Sequence, residues 1–375
     1  ETLVGRDKQL GIVPQLATEW QQTGPLTWRF KLRPNVKFHD GSPFTADDVV
    51  FSILRAREPS SNLIAYANQV GEPKKIDALT VEFQLAQPNP VFLQHMNTLF
   101  IMSKAWSEKH RVTRPQDFKN KEETHAVLNA NGTGPFILVS RQPGVKTVYK
   151  RNPNWWGKME GNLQEVVYTP IANDATRLAA LVSGEIDFVL DPAPRDVPRL
   201  RNTAGVKIVD GMENRIIFIG MDQARDELLY SSVKGKNPFK DKRVRQAFYQ
   251  AIDIEGIKKT VMRGASNPSG LMFGPGINGY SDELNKRLPF DPEASKKLLA
   301  EAGYPNGFSV DMNCPNDRYV NDGQICEAVA ANLARVGVKI NLKAETKGTY
   351  FPKVLRRDTS FYLLGWTPST YDAHN

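Results

Sequence analysis

The sequence predicts an α/β protein with more than one folding unit. Three observations carry this. At 375 residues the chain exceeds the ~100–200 residues typical of one domain. Its first third alternates apolar and polar residues between Pro and Gly breaks, as half-buried strands do. Its last third alternates amphipathic helices with short apolar runs at lengths that suit βαβ crossovers, so a parallel sheet covered by helices is expected there.

LTWRFKL (26–32) sets Trp28, Phe30 and Leu32 on one face, and TVEFQL (80–85) repeats the pattern. Between them lies KFHDGSPFTADDVVFS (37–52), where His39-Asp40 and Asp47-Asp48 have the look of an acid–base or metal site. A local reading accounts for the three acids. Asp40-Gly41 makes a turn. Thr45-Ala-Asp-Asp48 fits a capping box with Asp in place of the usual Glu or Gln. Asp47 and Asp48 favour the positive end of the helix dipole, and Val49, Val50, Ile53 and Leu54 form the apolar face. A polar stretch, Arg111 to Asn131, ends in the turn NGTGPF (131–136), where a domain boundary is placed.

VKTVYK (145–150) and EVVYTPI (165–171) read as strands. DATRLAALVSGEIDFVL (174–190) reads as a helix capped by Asp174 and stopped by Gly184, followed by a strand. Its apolar face is Leu178, Leu181 and Val182. RIIFIGM (215–221) reads as a buried strand, and DELLYSSVKGKNP (226–238) as a linker or hinge-side loop. DKRVRQAFYQAID (241–253) is a helix with Val244, Ala247, Phe248 and Ala251 on one face. DPEASKKLLAEAG (291–303) has Asp291 as N-cap, Pro292 at the first position and Gly303 past the end. Strand 308–313, helix 322–337, strand 338–344, helix 348–358 with Pro352 in its first turn, and strand 360–366 complete the pattern.

With 40% apolar and 24% charged residues the chain is of the water-soluble globular class. The net charge of +8 is scattered, with no run of five or six like charges, which argues against a nucleic-acid tail. No stretch approaches the ~20 apolar residues of a membrane span. Cys314 and Cys326 fit no zinc spacing; a disulfide, if the segment is exported, and two buried or free thiols both remain open. The phosphate-loop, H-E-x-x-H, G-x-S-x-G and G-x-G-x-x-G motifs are missing. His39, His95, His110, His125 and His374 are far apart in sequence and read as separate surface or capping residues. No nucleophile–base pair is visible, so no catalysis, cofactor or metal is expected.

In open α/β sheets ligands bind beyond the carboxyl ends of the strands. Here those ends run into CPNDRYVND (314–322) and GWTPSTYDAHN (365–375), and parallel strands would set both on one edge. The candidate ligand residues are therefore Arg318, Tyr319, Trp366, Thr367, Ser369, Thr370 and Asp372. Arg318 suits a bidentate grip on a carboxylate, and Tyr319 and Trp366 suit the wall of a binding site.

WRFKLRPNVKFHDGSPFTADDVVFSILRA (28–56) closely resembles a stretch of the family 5 extracellular solute-binding proteins, the receptors for peptide and nickel import. NGTGPFILVS (131–140), YKRNPNWWGK (149–158), DATRLAALVSGEID (174–187), NPFKDKRVRQAFYQAID (237–253), DPEASKKLLAEAGYPNGF (291–308) and LARVGVKI (333–340) resemble further stretches in the same order. The resemblance implies a two-lobed periplasmic binding protein of class II with an extra β-rich subdomain. Residues 1–131 would be that subdomain, 132–225 the lobe I core and 226–375 lobe II. It further implies that the chain is truncated at both ends, without export signal or the return from lobe II to lobe I.

The implied function is capture of a small peptide or peptide-like solute in an interlobe cleft, by a monomer, and delivery to ABC transporter permease subunits, with no nucleic acid involved. The implied location is the periplasm, or a lipid anchor outside a Gram-positive cell. Peptide receptors of this kind place an aspartate three residues after the Trp of their GW motif, where this chain has Ser369. GWTPST resembles instead the pattern of receptors for glutathione-type peptides, in which Asp372 would take the acidic role. A nickel or metal-chelate receptor is the alternative, and a hydrolase on a similar scaffold the third reading.

Overall fold

The computed structural model describes residues 1–117, 120, 122–211 and 213–374. The chain divides into two compact units: residues 1–170 with 369–373, and residues 171–368 with 374.

The first unit begins with a ribbon of β1 (Val4–Arg6) and β2 (Ile12–Pro14). Strands β3 (Ala17–Gly24) and β4 (Thr27–Leu32) follow, then helices α1 (Ala46–Ala56) and α2 (Ile64–Ala67), then β5 (Glu72–Asp77) and β6 (Thr80–Gln84). The four strands form an antiparallel sheet in the order β3-β4-β6-β5. The alternation read in β4 is what the sheet uses: Phe30 and Leu32 are buried, Arg29 and Lys31 exposed. Phe30 meets Phe83 edge-on at 5.6 Å, and Val49 and Ile53 of α1 join the same core. Each such buried side chain contributes roughly 1.5–3 kcal/mol. Helices α3 (Phe92–Met96), α4 (Lys104–Lys109) and α5 (His125–Leu128) lead to a second antiparallel sheet of β7 (Phe136–Gln142), β8 (Lys146–Arg151) and β9 (Glu165–Tyr168).

The stretch 37–52 folds as a turn and a capped helix. Asp48 Oδ2 accepts from the Thr45 N–H at 2.9 Å, the reach-back of a capping box, and Oδ1 accepts from the Lys104 N–H at 2.8 Å. Burial pushes the Asp48 carboxyl up, against the pull of these hydrogen bonds. His39 is a clamp between two turns. The Gly132 N–H donates to its Nδ1 at 3.3 Å, which makes Nε2 the protonated nitrogen that donates to the Gly134 carbonyl at 3.0 Å. Burial holds its pKa below the ordinary value. Two of the expected separate histidines do meet: the His110 and His125 rings stack at 4.1 Å, beside Trp106.

The second unit starts with α6 (Asp174–Ser183) and α7 (Val197–Arg201). Asn173, one residue earlier than expected, is the N-cap of α6, accepting from the Thr176 N–H at 2.9 Å, and Gly184 ends the helix at φ 80°. The strand expected after it does not form. Phe188 and Leu190 stay 74% and 69% exposed, with no neighbouring strand to complete a ladder.

Next come β10 (Ile216–Met221), α8 (Lys242–Ala251), α9 (Ile254–Thr260), α10 (Pro292–Glu301), β11 (Ser309–Pro315), α11 (Asp322–Ala334), β12 (Lys339–Glu345), α12 (Lys347–Leu355) and β13 (Phe361–Trp366). The sheet order is β10-β13-β11-β12. β11 runs parallel to β12 and β13, as the βαβ spacing predicts. β10 is antiparallel to β13, so the sheet is mixed and β10 is an edge strand, half-buried along most of its length. The core is built from Val244, Ala247, Phe248, Leu299, Val310, Met312, Phe361 and Leu363.

Two further expectations change. Residues 230–232 are no free linker: the Ser232 N–H donates to Ser309 and Asp311 donates to Tyr230, and Leu228 is buried beside them. Pro352 lies inside α12, past its first turn, because the helix begins at Lys347.

Candidate functional site

Strands β11, β12 and β13 are parallel, so Pro315, Glu345 and Trp366 end on one edge of the second unit's sheet. β10 enters that edge from the opposite direction, with Ile216 facing Trp366. The residues gathered there come from the loop after β11, the end of β13 and the segment before β10.

The loop after β11 is fixed from within. Asp322, buried at the start of α11, accepts from the Arg318 and Tyr319 N–H groups through Oδ2, both at 2.9 Å, and from Gly323 through Oδ1. Burial pushes its carboxyl up, opposed by these backbone donors. A disulfide joins Cys314 on β11 to Cys326 on α11, closing the loop at its base. Asn321 adopts φ 52° and donates its Nδ2 to the Val261 carbonyl at 2.8 Å.

Arg318 and Tyr319 project from this loop. The Arg318 guanidinium lies 4.7 Å from the Tyr319 ring centroid and makes no hydrogen bond or ion pair among the described residues. The Tyr319 hydroxyl accepts from the Gly365 N–H at 3.0 Å. Gly365 is required by this approach: a Cβ there would come within 2.7 Å of Tyr319 and 2.9 Å of Ile217. Trp366 is 41% exposed and Thr367 is exposed. A planar guanidinium with open donors beside a half-buried aromatic ring is an arrangement that binds carboxylates and flat apolar groups.

The sequence-derived candidates divide at Pro368. Arg318, Tyr319, Trp366 and Thr367 belong to the second unit; Ser369, Thr370 and Asp372 belong to the first. In the first unit the Ser369 carbonyl accepts from Arg6 at 3.1 Å and its hydroxyl donates to Tyr66 at 3.1 Å. Arg6 also stacks on Tyr371 at 4.4 Å. Thr370 is buried, with its hydroxyl unpartnered among the described residues, and Asp372 is half-buried.

Sequence reasoning missed Arg215. It stands just before β10, 5.9 Å from the Tyr319 ring, with its Nη2 on Glu213 at 2.7 Å. Its signal was a single cation opening an apolar run, without meaning until the direction of β10 is known.

A model of the family described as bacterial extracellular solute-binding proteins, family 5 Middle, matches residues 11–375, and the chain belongs to that family. It is 29% identical to the dipeptide-binding protein of Escherichia coli K12, over 97% of this chain and 69% of that protein. It is 28% identical to heme-binding protein A of Haemophilus influenzae, over 97% of this chain and 68% of that protein. Its fold matches an ABC transporter-associated periplasmic binding protein from Helicobacter pylori, solved with the peptide STSA, at a TM-score of 0.85 and 24% identity. That match covers 98% of this chain and 72% of the other.

Proposed function

We propose that this receptor captures a small peptide or peptide-like solute outside the cytoplasmic membrane and delivers it, unchanged, to the permease of an ABC importer. It acts as a monomer and catalyses no reaction. The observation that carries the peptide reading is the Arg318 guanidinium, open at the carboxyl edge and held in place from its backbone by Asp322. Its fork matches a carboxylate, with Tyr319 and Trp366 as apolar walls. The dipeptide-binding relative supports the same reading. Thr367 is a further candidate contact, and Ser369, Thr370 and Asp372 form a separate candidate set in the first unit, with Asp372 suited to an amino group.

Calorimetry with di- and tripeptides, glutathione included, tests this. Binding that weakens about tenfold in Arg318→Ala supports it. Failure of every peptide overturns it, and stoichiometric nickel in the purified protein would favour a metal-chelate cargo instead. Turnover of a peptide amide, abolished by one substitution among these residues, would overturn the non-catalytic reading.

A further inference from the structure

The geometry points to Arg215 as a second anion anchor, and so to a cargo bearing two carboxylates. This rests on the peptide reading and narrows it. Arg215 precedes the first residue of β10, and Ile216 faces Trp366, so Arg215 stands on the same edge as Arg318. Both guanidiniums approach one ring, that of Tyr319, at 4.7 and 5.9 Å. Two cations around a single side chain are within reach of one small solute.

The state of each polar group supports the assignment. Arg215 Nε is buried without a hydrogen-bond partner, an open donor already removed from water. Its only ion-pair partner among the described residues, Glu213, is 61% exposed in its side chain. Such surface pairs add little stability, and an incoming carboxylate can replace this one. The other acids of the loop are engaged elsewhere. Asp322 accepts from three backbone N–H groups, and Asp317 accepts from the Lys347 N–H at 2.5 Å. Of the acids named here only Glu213 pairs with either guanidinium, and it is loosely held, so both guanidiniums can turn to a solute that carries two carboxylates.

The test is calorimetry of Ala-Glu and Glu-Ala against their uncharged twins Ala-Gln and Gln-Ala. The wild-type protein is expected to bind at least one acidic peptide about tenfold or more tightly than its twin. Arg215→Gln should abolish that preference and leave the uncharged peptide's affinity unchanged. Arg215→Lys, which keeps the charge, should retain part of it, and Arg318→Ala should weaken both peptides. Equal binding of twins by the wild type overturns the inference. So does an Arg215→Gln variant that weakens both twins equally, since that marks a packing role alone. If none of the four peptides binds, this inference fails; the peptide reading itself falls only if the wider di- and tripeptide series, glutathione included, fails too.

Discussion

The turn and helix at 37–56 and the carboxyl edge of the second sheet both gather charged and aromatic residues, yet they treat them in opposite ways. In the first, the histidine and the three acids that suggested a site are closed on the protein. His39 bridges Gly132 and Gly134, and Asp48 accepts from Thr45 and Lys104. In the second, the backbone is closed and the Arg318 guanidinium is left open. Asp322 and the disulfide hold the loop, while the Arg318 guanidinium has no hydrogen bond or ion pair among the described residues and Trp366 is exposed. A residue pattern that marks a family can thus be accounted for by the protein's own hydrogen bonds. The useful signal for a site is an open donor on a rigid backbone.

This contrast can be broken by measurement. Replacing both Cys314 and Cys326 by Ala should have the largest effect, about 3 kcal/mol of stability, because the crosslink closes a short loop. Peptide affinity should fall with it as Arg318 loses its fixed base; unchanged urea melts would show that the crosslink does not hold the loop. Asp48→Ala should cost about 2 kcal/mol of stability through the lost cap and the orphaned Lys104 N–H. Its peptide affinity should stay at the wild-type value, and a loss in a folded variant would place the turn in the ligand site.

Arg318→Ala should do the reverse. It should weaken binding by about 1.4 kcal/mol and change the melting midpoint by less than ~0.5 kcal/mol of stability. The smallest effect is that of His39. Its folded pKa lies below the unfolded value of 6.5, so its contribution is present above pH 6.5 and is lost as pH falls through the folded value. Asp48 and Asp322, both pushed up by burial, act with the opposite sign. The difference between wild type and His39→Gln isolates the histidine. The wild type should lose stability relative to that variant as pH falls below 6.5, with ligand affinity nearly unchanged; a pH-independent difference would remove the clamp.

Much of this was legible in the sequence because it is local. The cap at Asp291, the alternation of Phe30 and Leu32, and the reach-back of Asp48 each depend on residues within a few positions. What failed was non-local. Residues 186–190 have the composition of a strand, but a strand exists only where a partner supplies its ladder. The direction of β10 is set by pairing with β13, some 145 residues away in register, and without it Arg215 could not be assigned to the edge. Arg318 and Tyr319 were reachable through the general rule for strand ends. The split of the GW segment at Pro368, which sends Ser369 to the other unit, was not.

The antiparallel edge strand has one more consequence. Arg318 sits inside a loop whose backbone is tied by a disulfide and a buried acid, so that loop has little freedom to change. Arg215 belongs to no such closure; it stands at the start of β10 and its one ion pair among the described residues is with an exposed glutamate. Position 215 is thus a dial separate from the frame. New cargo preferences can be explored there one substitution at a time while the folded receptor stays intact.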